Sequence, residues 1–122
     1  MLLTYIQILQ LVSFAFLMSL GQILFKKTAL SMSSLGALGL IDGIIKAISI
    51  PWLYLALSVY GLATIFWLYI LQRIPLNLAY PFSALAMAIV PILAWLIFGE
   101  RINFSYWVGL LLILTGIIII GQ

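Results

Sequence analysis

Residues 74–98 read IPLNLAYPFSALAMAIVPILAWLIF, a proline-bounded turn that leads into a long apolar run without a single charge. At about 1.5 Å per residue, the helix from Leu76 to Phe98 would reach roughly 34 Å, enough to cross a hydrocarbon core of about 30 Å. Within it Tyr80, Ser83, Ala84, Met87, Pro91 and Ala94 recur at helical spacing, so small, polar and backbone-breaking residues share one stripe. That stripe is expected to face protein or a cavity. Pro91 removes a donor and frees the carbonyl of Met87, which in hydrocarbon needs a neighbouring group or water. Two readings stand side by side: a broken helix on a substrate path, or a kink in a packed helix whose small residues allow close contact.

Composition fixes the class. Of the 122 residues 67% are hydrophobic and 6% charged, with a mean hydropathy of +1.39, which would give a water-soluble chain of this size far too much exposed apolar surface. The net charge of +3 arises from Lys26, Lys27, Lys46, Arg73 and Arg101 against Asp42 and Glu100, none of which falls in the middle of an apolar run. The basic balance therefore speaks of topology and lipid phosphates, not nucleic acid. Cysteine and histidine are absent from the sequence, which removes thiolate and imidazole metal sites, cysteine or histidine catalysis and disulfides. Two peripheral carboxylates assemble no hydrolytic constellation, so neither an enzyme nor a cofactor is expected.

Residues 2–25 form another apolar run, without a basic leader or cleavage-site pattern. On a helical wheel Gln7, Gln10, Phe14, Met18, Gly21, Gln22 and Phe25 share one face, either as a polar groove or as hydrogen-bonding glue between helices. Lys26 and Lys27 are expected to close this helix and anchor it at the headgroups. Residues 35–50 are two-faced, with Asp42, Lys46, Gly39, Gly43 and Ser49 on one side and Ile41, Ile44, Ile45 and Ile48 on the other. Asp42 and Lys46 are spaced for an i,i+4 pair. This pattern describes an interfacial helix, with a re-entrant segment as the alternative.

Residues 51–71 begin at Pro51 with Trp52 and Tyr54 at the headgroup level, carry Ser58, Tyr60, Gly61 and Thr64, and end in a short turn through Gln72, Arg73 and Pro75. Residues 104–121 are entered through Tyr106 and Trp107 and carry Gly109 and Gly116 seven residues apart, a shallow notch for a partner backbone. The expectation is an all-α integral membrane protein of one domain, residues 1–122, with four transmembrane helices at about 2–25, 51–71, 76–98 and 104–121. An interfacial helix lies between the first and second. Counting Lys26, Lys27, Lys46 and Arg101 on one side against Arg73 on the other places both termini outside the cytoplasm.

The stretches GQILFKKTA (residues 21–29), IPLNLAYPFSAL (residues 74–85) and FGERI followed by WVGLLLILTG resemble the drug/metabolite transporter superfamily, with its EamA and small multidrug resistance proteins. The resemblance covers all four spans and only loosely residues 31–50. It implies a dimer in which helices one to three enclose a substrate chamber and the fourth forms the seam, making Gly109 and Gly116 dimer residues. Small multidrug exporters carry a first-helix glutamate for protons and cationic drugs, and its place here holds Met18. Gly21, Gln22 and Lys26, with Gln72, Pro75, Ala79, Tyr80, Pro81 and Leu85, are closer to the subunits that flip aminoarabinose-linked undecaprenyl phosphate.

The leading expectation is thus a flippase of the cytoplasmic (inner) membrane for a polyprenyl-phosphate-linked sugar or similar amphiphile, working as a homo- or hetero-dimer with a similar small subunit. Its candidate substrate-binding residues are Gln7, Gln10, Gln22, Lys26, Tyr60, Arg73, Tyr80 and Ser83, with Gln7, Gln10, Gln22 and Tyr80 hydrogen-bonding the sugar and Lys26 or Arg73 pairing with the phosphate. An exporter of small cations or metabolites and a non-transporting subunit that stabilises a partner are the alternatives.

Overall fold

A computed structural model of the chain describes residues 3–36 and 38–122. Helix α1 (Tyr5–Ser34) starts at a capping box: Thr4 Oγ1 accepts from the Gln7 N–H, and Gln7 Oε1 accepts from the Thr4 N–H. The expected start at Leu2 lies outside the described residues. At its other end α1 runs past Lys26 and Lys27, which therefore lie within the helix and do not close it. Residues 28–34 hold Ala29, Leu30 and Met32, good helix formers, and the Thr28 hydroxyl bonds back to the Leu24 carbonyl at 2.9 Å. The helix stops where Gly36 takes φ 74°, a conformation that glycine adopts freely.

Helix α2 (Gly39–Ile48) follows and folds back on α1, with Gly43 buried 3.2 Å from Met32 as measured from the Cβ it lacks. Asp42 and Lys46 pair as their spacing predicts, at 3.1 Å. Asp42 also accepts from the Leu38 N–H at 2.8 Å, and Lys46 donates to the Gly36 carbonyl at 3.0 Å. The Leu38 N–H first, and Lys46 second, hold the Asp42 carboxyl below its ordinary value. This brace is complete at neutral pH and is lost as the pH falls through that lowered value. Ile41, Ile44, Ile45 and Ile48 stay exposed on the other face.

Helix α3 (Pro51–Leu71) begins at the proline that the sequence marks as its start. Helix α4 (Leu76–Phe82), a 3-10 turn (Ser83–Leu85) and α5 (Ala86–Phe98) make up the third apolar segment. The break falls at Ser83–Leu85 and not at Pro91, which lies inside α5. The Ser83 hydroxyl bonds to the Tyr80 carbonyl three residues back, a local contact that competes with regular helical pairing. Helix α6 (Phe104–Ile120) closes the chain.

Three of these segments are long and apolar enough to cross a membrane: Tyr5–Ser34, Pro51–Leu71 and Leu76–Phe98, while Phe104–Ile120 is shorter at 17 residues. The chain is a multi-pass membrane protein. Its core joins α1 to α3 and to α4, with Leu11, Phe14, Ala63, Ile70, Ile74, Ala79 and Phe82 buried together and Ile117 of α6 closing one side. Phe14 stacks on Trp67 with ring centroids 4.6 Å apart, so the wheel face of α1 that carries Phe14 and Gly21 is the face packed on α3. Lys27 lies over the Trp52 ring at 4.5 Å, bringing the C-terminal half of α1 beside the start of α3.

The carbonyl freed by Pro91 finds its partner in the last helix. The Tyr106 hydroxyl donates to the Met87 carbonyl, tying α6 to α5 where the proline opens the ladder. An unsatisfied carbonyl in an apolar setting costs about 1–3 kcal/mol. Tyr106→Phe should therefore lower stability by about 1–2 kcal/mol, read as an earlier unfolding midpoint when SDS is titrated into detergent micelles. An unchanged midpoint would mean that the carbonyl is met by something other than Tyr106.

Candidate functional site

Two of the expected site residues meet directly. Gln22 of α1 donates from Nε2 to the Tyr60 hydroxyl of α3 at 2.5 Å. The pairing depends on Gly21, because a Cβ there would stand 2.5 Å from Cε2 of Tyr60. Phe25 stacks on the other flank of the tyrosine ring, with centroids 4.8 Å apart. Gly21, Gln22 and Phe25 thus form a seat one helical turn long for a single phenol, and the phenol presents its oxygen to the amide.

Gln22 also faces outward from this seat. With Ala86, Met87, Val90, Pro91 and Tyr106 it lines a cavity of about 330 Å³ between α1, α5 and α6. Val90, Pro91 and Tyr106 are shared with a neighbouring cleft of about 320 Å³ that continues to Glu100, Arg101 and Asn103. The two make one groove, polar at both ends and apolar along the Pro91 wall. Lys26 lies one turn beyond Gln22 on α1, and its ammonium sits 3.8 Å from Glu100, both side chains half-exposed.

The other candidates lie elsewhere. Gln7 is engaged in the capping box of α1, and Ser83 is turned onto the Tyr80 carbonyl of its own segment. Gln10 is half-buried about twelve residues, or roughly 18 Å of helix, before Gln22. Tyr80 is exposed beside an open cleft formed with Leu76, Asn77 and Pro81. Arg73 lies over the Tyr69 ring at 4.7 Å, at the end of α3 remote from Trp52 and Lys27. Gly109 and Gly116 have open space where a Cβ would stand. The residues that complete the groove, Glu100, Arg101, Asn103 and Tyr106, stand in the sequence as turn and belt residues and were not singled out there as a site.

A scan of family models matches residues 2–122 to the EamA-like transporter family. The chain belongs to the EamA-like transporter family. Among curated proteins, it is 39% identical over 72 residues, 59% of this chain, to a probable 4-amino-4-deoxy-L-arabinose-phosphoundecaprenol flippase subunit ArnE of Pseudomonas fluorescens (strain Pf0-1). It is 43% identical over 71 residues, 58% of this chain, to the protein of the same name from Salmonella paratyphi B (strain ATCC BAA-1250 / SPB7). The matched stretch spans 63% and 64% of those relatives' own lengths. No solved structure matches the chain.

For this EamA-like chain the seat of Tyr60 carries a direct test. Gly21→Ala should push the ring away and separate it from Gln22, since 2.5 Å leaves no room for a methyl group. The expected readout is a changed Tyr60 ring environment by NMR of ring-labelled tyrosine in micelles. An unmoved Tyr60 signal would show that the ring and Gly21 are not in contact.

Proposed function

We propose that this chain is a four-span subunit of a flippase that moves a polyprenyl-phosphate-linked sugar across the cytoplasmic membrane. The observation that carries the reading is the groove that starts at the Gln22–Tyr60 pair and ends among Lys26, Glu100 and Arg101. Amides and phenols suit the hydroxyls of a sugar, and they sit beside the apolar Pro91 wall. The names of the ArnE relatives support the same substrate class. Lys26 is available to phosphate at little cost, because a half-exposed pair such as Lys26–Glu100 is worth about 0–1 kcal/mol. A hydrogen bond to a charged phosphate contributes about 1.5–3 kcal/mol.

Charge distribution supports the four spans and their orientation. Lys26, Glu100 and Lys27 gather at one end with the start of α3, Lys46 follows on α2, and Arg73 stands at the other. The first end faces the cytoplasm on this reading, with α2 lying at the headgroups and its isoleucines in the acyl boundary. A proton-coupled exporter of cations is less well supported, since Met18 packs against the core at the place where a glutamate would be needed. Gln22→Ala and Lys26→Ala should each slow lipid-sugar translocation in reconstituted vesicles about five- to tenfold, while an imposed proton gradient leaves the rate unchanged. A rate that follows the gradient would sink the flippase reading in favour of the exporter.

The outer face of α6 is proposed as the seam with a second small subunit, alike or different. Leu112 and Ile120 are exposed beside the open notches of Gly109 and Gly116, and helices in lipid associate through close backbone approach at such notches. Gly116→Leu should reduce crosslinked dimer in membranes by at least half. Equal yield would place the seam elsewhere.

A further inference from the structure

The reversal between α5 and α6 sends two neighbouring charges in different directions. Gly99 takes φ 69° and donates its N–H to the Trp95 carbonyl at 3.1 Å, which ends α5 abruptly. Glu100 then meets Lys26 of α1. Arg101 forms no salt bridge among the described residues. It lines the groove beside Pro91 and Tyr106, and it also lines a separate cleft of about 400 Å³ whose other walls are Trp95, Ile102, Asn103 and Trp107.

That second cleft is graded in polarity. At the reversal it offers a guanidinium and a carboxamide, and one turn into α5 and α6 it offers two partly exposed indoles, Trp95 and Trp107. A guanidinium carries five donors in a planar fork that matches two phosphate oxygens at once, and no acceptor to repel them. Indoles one turn from a helix end are placed for the step between headgroups and hydrocarbon. A free anion would use the arginine end alone and leave the indoles unused. A phosphate that carries an apolar chain uses the whole cleft.

We infer that Arg101, with Asn103, is a phosphate subsite for a polyprenyl phosphate that adds to the contact offered by Lys26 beside Glu100, and that the chain leaves between Trp95 and Trp107. Because Arg101 borders both spaces, a sugar on that phosphate is delivered along the Tyr106 and Pro91 wall toward Gln22. The delivery step and the choice of a polyprenyl chain rest on the flippase reading; a subsite at Arg101 for a phosphate that carries an apolar chain does not.

The test uses the full chain purified in detergent, with undecaprenyl phosphate as the probe and native mass spectrometry as the readout. Arg101→Gln should weaken binding at least tenfold, Arg101→Lys should recover part of it, and Trp107→Ala should weaken it severalfold. Lys46→Gln, which removes an equal charge from α2, should bind as the unaltered chain does. Binding by Arg101→Gln equal to that of the unaltered chain overturns the proposal. So does displacement of the probe by an equal concentration of phosphatidylglycerol or inorganic phosphate, which would make the cleft a general lipid or anion contact. A chain that binds the probe through Arg101 but translocates no lipid-linked sugar would refute the flippase reading and keep the subsite. Unimpaired translocation and binding in Arg101→Gln would do the reverse.

Discussion

A helix in hydrocarbon must satisfy its backbone polar groups from within the protein, because no water is at hand to do so. Pro91 violates that requirement in α5, and the Tyr106 hydroxyl answers it from α6. Most other hydroxyls are spent locally: Ser19, Ser58, Thr64 and Thr115 each bond to the carbonyl four residues back. What is left for contact between helices is sparse. Among the described residues the Gln22–Tyr60 bond is the one hydrogen bond that joins side chains of two different helices.

That economy accounts for the character of the groove. Its polar groups, Gln22 and Tyr106, are among the few that bond from one helix to another, and its apolar wall is the side of α5 that carries Pro91. Tyr106 serves both ends of the arrangement, holding α6 in place and bordering each section of the groove. The fold and the candidate site therefore share a residue, and the placement of α6 is inseparable from the shape of the cavity.

Charge follows the same rule of cost. A charged side chain at the centre of a span is unfavourable by about 2.5–3.5 kcal/mol on insertion scales, and here Lys26 and Lys27 lie in the last third of α1 while the other charges stand in turns or on α2. Where they pair, they do so in half-exposed positions, as Lys26 with Glu100 and Asp42 with Lys46. Such pairs are weak enough to be exchanged.

Membrane class, the bounds of α3, the Asp42–Lys46 pair and the need of the Met87 carbonyl for a partner were all legible in the sequence. Each depends on composition or on neighbours within about one helical turn, and backbone geometry fixes such relations wherever the helix lies. The length of α1, the 3-10 break at Ser83–Leu85, the engagement of Gln7 in a cap and the partnership of Lys26 with Glu100 were not. Local hydrogen bonding decided the first three, against the pattern of apolar residues and lysines that suggested otherwise. Tertiary packing alone decided the last. Gln22 and Tyr60 are 38 positions apart, and each could be singled out by residue type, but a wheel shows a face without its neighbour. That Gly21 leaves room for one particular ring, and that Tyr106 reaches one particular carbonyl, depends on how four helices pack, which no single helical period encodes.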